Sequence, residues 1–107
     1  MLPDTERRKS VRAVCSGRIR FSRVDREMTI TADLTDFSEE GLGFLSASEL
    51  KPGSTLMVQV EQIDSAESER PARRLVRSQG IVEVRWCRPV GDRWNTVFAT
   101  GVKYLLI

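Results

Sequence analysis

From residue 28 to residue 35 apolar and polar side chains alternate without interruption. Met28, Ile30, Ala32 and Leu34 fall on one parity, and Thr29, Thr31, Asp33 and Thr35 on the other. A period of two sends successive side chains to opposite faces, as a strand with one buried face requires. Leu56, Val58 and Val60 repeat the pattern, and so do Val82, Val84 and Trp86, which places Trp86 with the core. Further strands are readable at about residues 13–22, 41–47 and 94–106. Pro52-Gly53 supplies turn chemistry between the third and fourth strands, and Gly91-Asp92 before the last. Helical periodicity is nearly absent. Only residues 48–50 and 65–70 could form a helical turn, and neither carries an apolar face. Residues 64–71 are polar, small and charged, and read as an exposed loop.

Six strands with an apolar face must bury that face, and no helix is available to cover it. Closing the sheet on itself does so and removes the exposed edges. The pattern therefore predicts an all-β fold, a small antiparallel six-stranded β-barrel, over residues 13–107. Residues 1–12 are polar, charged and unpatterned, and read as a flexible arm ahead of the first strand.

At 107 residues a single domain is expected. With 40% hydrophobic and 30% charged residues the chain is of the folded, soluble kind. It contains no apolar run long enough to span a bilayer, and MLPDTERRKS lacks the apolar stretch of a secretory signal, so a cytoplasmic location is expected. Cys15 and Cys87 stand far apart with no second pair to suggest zinc, and free thiols follow, with Cys15 a core side chain. The net charge of +2 argues against a nucleic acid polymer as partner. The basic residues are nonetheless selective: lysine occurs only at positions 9, 51 and 103, and arginine supplies the rest. Its planar fork fits phosphate and guanine edges.

Two short constellations carry candidate chemistry. Arg7 and Arg8 precede Lys9-Ser10-Val11-Arg12, giving Arg8-x-x-x-Arg12 in the arm. That spacing also occurs at Arg70/Arg74 and Arg73/Arg77, so alone it describes a solvated basic segment. Asp36-Phe37-Ser38-Glu39-Glu40-Gly41 places Asp, Ser and Gly between two strands. As a plain turn, Asp and Ser would cap local donors and Gly would supply a positive φ. As a site, Asp36 would accept from guanine N1 and N2, Ser38 would donate to phosphate, and Gly41 would admit close approach.

In this order, and with Leu42-Gly43-Phe44, Leu50-Lys51-Pro52-Gly53-Ser54-Thr55-Leu56 and Thr100-Gly101-Val102-Lys103-Tyr104 around them, these segments resemble the PilZ domain family. The resemblance runs from about residue 7 to residue 105. It implies a six-stranded barrel that receives cyclic di-GMP on its outer surface. Arg8 and Arg12 would hold phosphate and guanine, while Asp36, Ser38 and Gly41 line the facing turn. Arg7, directly before the pair, implies two intercalated ligand molecules. The implied function is a receptor in bacterial second-messenger signalling, acting on a downstream protein effector, with ordering of the arm as its switch.

The alternative within the same resemblance is a protein–protein adaptor that does not bind the nucleotide. An enzyme is not expected, because the chain has no histidine, no Gly-rich phosphate loop and no clustered carboxylates of metal-ligand character. Neither a cofactor nor a metal is therefore implied. An aromatic content of 7% argues against a barrel that binds single strands by stacking. Tyr104-Leu105-Leu106-Ile107 form an apolar end that needs cover, and a homodimer is one way to supply it.

Overall fold

The computed structural model describes residues 13–25, 27–66 and 79–106. Six strands make up its regular structure: β1 (Ala13–Arg23), β2 (Thr29–Phe37), β3 (Gly41–Ser46), β4 (Thr55–Ala66), β5 (Gln79–Val90) and β6 (Val97–Leu106). They close into a barrel in the order β1-β2-β3-β6-β5-β4, with every neighbouring pair antiparallel. The all-β barrel expected from the alternation is therefore the fold. Among the described residues no helix is long and apolar enough to cross a membrane.

Away from its bulges, each strand feeds the interior from one parity. Ile19 and Phe21 come from β1, Ala32 and Leu34 from β2, Leu42 and Phe44 from β3. Leu56 and Val58, Val82 and Val84, and Val102 complete the ring from β4, β5 and β6. Phe21 and Phe44 meet across the barrel with ring centres 5.1 Å apart and planes tilted by 35°. Burying a side chain of this size contributes roughly 1.5–3 kcal/mol, so this ring is the main source of stability. Leu50, from the β3–β4 connection, also folds into the core, and its backbone N–H points at Cys87 Sγ, 3.4 Å away.

Three readings of the alternation need correction. Met28 lies before β2 and is 72% exposed, because the β1–β2 turn ends beyond the last paired residues, Ser22 and Thr29. The last strand begins at Val97 rather than at residue 94. Asp92 holds residues 91–96 in a turn, its Oδ1 accepting from the backbone N–H of Trp94 and of Asn95, both at 2.9 Å. Finally, β4 runs on to Ala66, so residues 64–66 are strand and not loop. Residues 67–71 of that expected loop lie outside the described residues.

Candidate functional site

The register lines up one residue from each of five strands: Val14 pairs with Asp36, Asp36 with Gly43, Gly43 with Gly101, and Gly101 with Trp86. Asp36 and Trp86 thus stand three strand spacings apart, roughly 14 Å between backbones. Only glycine lies between them. Both end residues lean inward over that bare floor. A Cβ on Gly43 would overlap the Asp36 carboxylate, and a Cβ on Gly101 would overlap the Trp86 indole at Nε1 and Cε2. The result is a shallow trough on the outer face, with a carboxylate at one end and an aromatic ring at the other.

Neither end residue would face outward if its strand kept a strict period of two. Asp36 shares the parity of Ala32 and Leu34, both buried. Between Leu34 and Asp36, β2 advances two residues while β3 advances one, from Phe44 to Gly43. That extra residue, Thr35, is a β-bulge, and it turns Asp36 out and Phe37 into the core. β5 repeats the device. Val84 pairs with Val102 and Trp86 with Gly101, so Arg85 is the extra residue. Trp86 emerges 39% exposed, and Cys87 takes the next inward place. The expectation that Trp86 is a core residue is overturned by this bulge. A third irregularity, between Val14 and Gly17 of β1, lies at the same level of the barrel.

The Asp36 carboxylate is half-buried and accepts from Thr35 Oγ1 at 2.9 Å. Its charge is felt by Cys15 on β1. Burial, and then the negative Asp36, push that thiol from the usual 9.0 up to about 11. Cys15 is therefore a protonated, partly buried thiol packed against the core, as its neighbours in sequence suggested. Both cysteines are free.

Ser38 and Gly41 build the turn beside the trough. Ser38 N–H donates to Gly41 O at 2.9 Å, and Ser38 Oγ accepts from Glu40 N–H at 3.2 Å. Ser38 is only 4% exposed, and its hydroxyl, an acceptor in that contact, retains its own proton to donate. Tyr104 N–H donates to Glu40 O at 2.8 Å and ties the turn to β6. Gly41 is not one of the positive-φ glycines, which are Gly53 and Gly91. Its lack of a Cβ answers instead to the backbone of β6, because a Cβ there would overlap the Val102 carbonyl.

The structure thus brings Asp36, Ser38 and Gly41 together at one end of the barrel, next to the start of β1, where Ala13 pairs with Phe37. Arg7, Arg8 and Arg12 lie outside the described residues. Among the described residues no group of three His, Cys, Asp or Glu side chains is placed to hold a metal ion. A family model described as the PilZ domain matches residues 6–107. The chain belongs to the PilZ domain family.

The PilZ domain with c-di-GMP of YcgR from Escherichia coli superimposes with a TM-score of 0.63 at 17% sequence identity, covering 92% of this chain and 78% of that one. No curated protein matches the chain. Within this PilZ barrel the outward residue that alternation misplaced is Trp86. In the structure the inward positions of β5 run Val82, Val84 and the partly buried Cys87, and the interval of three marks the bulge.

Proposed function

We propose that this PilZ domain is a receptor for cyclic di-GMP in bacterial second-messenger signalling, and not an enzyme. The observation that carries the reading is the outward Asp36 carboxylate over Gly43, beside the Ser38 turn and facing Trp86 across a glycine floor. A carboxylate in that position suits guanine, whose N1 and N2 both donate, and discriminates against adenine. The indole offers a face on which a purine stacks. The YcgR domain of similar fold is described with c-di-GMP, which agrees with this ligand.

In this reading Arg8 and Arg12 hold phosphate and guanine through charge-assisted, forked hydrogen bonds. Arg7 favours a second, intercalated ligand molecule. Arg12 directly precedes Ala13, and Ala13 pairs with Phe37, next to Asp36, which supports this reading. Without ligand the clustered guanidiniums repel one another. The two phosphates neutralise them, the arm orders across the site, and a downstream protein effector in the cytoplasm reads its new position.

Calorimetric titration with cyclic di-GMP, with cyclic di-AMP as control, tests the reading. Wild type should bind the guanine ligand selectively. Arg8→Ala and Asp36→Ala should each lose roughly 1.5–3 kcal/mol, more than tenfold in affinity. A stoichiometry near two per chain would support the role of Arg7. No binding by folded wild type would exclude the receptor and leave a PilZ-type adaptor in its place.

A further inference from the structure

Arg88 follows Trp86 by two positions on β5 and shares its outward face. Its guanidinium carbon lies 5.1 Å from the centre of the Trp86 ring, while the Nε1–Cε2 part of the ring rests against Gly101. Arg20, Arg23 and Arg85 each have a carboxylate partner, at 3.4, 3.6 and 3.1 Å. Among the described residues, the neighbour recorded for Arg88 is an aromatic ring instead. A guanidinium on an exposed indole is held weakly, so a better stacking partner can displace it. Purines stack on aromatic rings and on arginine planes alike.

The geometry points to Arg88 as a further ligand-binding residue, forming with Trp86 a clamp that takes one guanine base between guanidinium and indole. This inference rests on the cyclic di-GMP reading and adds to it a contact from β5, opposite the motif residues. The base enters between two groups already in contact, lifting Arg88 by about one stacking distance. Its hydrogen-bonding edge then faces along the trough toward the Asp36 carboxylate above Gly43. Both faces of the base leave water, and the positive charge moves from the indole to a ligand with two phosphates. The plane of Arg88 matters here as well as its charge. That separates a stacking role from simple attraction to phosphate, which lysine would satisfy.

The test uses the full chain and cyclic di-GMP. Arg88→Ala should weaken binding roughly three- to tenfold, and Arg88→Lys should recover little of the loss. Trp86→Ala should lose roughly tenfold or more, with Trp86→Phe between it and wild type. Thermal melts would identify any variant that fails to fold. In Trp94→Phe protein the remaining tryptophan, Trp86, should change its emission on saturation with ligand. If wild type binds but Arg88→Ala binds as tightly, or Trp86 emission does not respond, the clamp is excluded while the receptor reading stands. Full rescue by lysine would also exclude stacking and leave a phosphate contact. If folded wild type does not bind, both fall together.

Discussion

On the flank formed by β1 and β4 the outward positions carry long side chains that satisfy each other. Arg20 stands opposite Gln59 in the register, donates to its Oε1 at 3.0 Å, and pairs with Glu61 at 3.4 Å. On the flank formed by β3 and β6 the outward pairs are Gly41 with Lys103, Gly43 with Gly101 and Leu45 with Ala99, and at the middle pair the groups that reach over the sheet come from the strands on either side. On this first, finished flank Arg20, Gln59 and Glu61 already partner one another. The second has a stretch of sheet with no side chains of its own, overlain from either side by a carboxylate and an indole, and a ligand can approach both at once. Surface polarity alone does not separate the two flanks. What separates them is whether long side chains or glycines occupy the outward positions.

The glycines of the bare flank can be told apart by substitution, and the largest effect should come from Gly41. Its missing Cβ faces the Val102 carbonyl, which is backbone and has no rotamer to yield. Gly41→Val should destabilise by about 3 kcal/mol, with a fall in Tm on the order of 10 °C in calorimetry. A melt unchanged from wild type would mean that β3 and β6 can part at that point.

Gly43 meets only a side chain, that of Asp36. Gly43→Ala should fold as wild type does but push the carboxylate off the floor, so affinity for cyclic di-GMP should drop about tenfold, near 1.4 kcal/mol. Loss of stability in place of affinity would place Gly43 with Gly41.

The Cys15 thiol gives a pH-dependent view of the same carboxylate. Between 9.0 and about 11 the unfolded chain releases this proton while the folded chain keeps it. Stability contributed below that window is therefore lost as pH rises through it. Urea denaturation of wild type and Cys15→Ala at pH 8, 9.5 and 11 should show the steeper decline in wild type. Asp36→Asn should lower the thiol pKa by removing the smaller of its two causes. Equal slopes would contradict the burial of Cys15.

The finished flank should respond least. Arg20→Ala removes an exposed pair and should change stability by no more than about 0.5 kcal/mol, with cyclic di-GMP affinity unaffected. An affinity loss there would mean that the ligand reaches round the barrel.

Much of this was legible from alternation, because a strand with one buried face writes its parity into the chain. Leu56/Val58 and Val82/Val84 announce β4 and β5 directly, and Gly91-Asp92 announces the last turn. The Asp36–Gly41 segment was legible as a turn between two strands, since Asp, Ser and Gly favour such corners. Parity misled where the chain breaks it. Trp86 reads as core until Cys87 shows that the inward series has slipped by one. Asp36 escaped the same error only because an aspartate is not assigned to a core. At Gly41 the plain-turn reading asked for a positive φ, but the reason for a glycine there lies in Val102, sixty-one positions along the chain, and local spacing carries no trace of such a contact.

Closure of the sheet has a mechanical consequence. A strand in an open sheet can slip or peel at an edge, whereas each of these six strands is laced to a neighbour on both sides. Sliding any one of them breaks two ladders at once, and the bulges at Thr35 and Arg85 would fall out of step with their partners. The span between Asp36 and Trp86 is therefore fixed like the jaws of a gauge cut from one block. Such a gauge measures what is laid in it without changing shape, and any movement that reports the measurement has to come from side chains or from chain attached to the six strands.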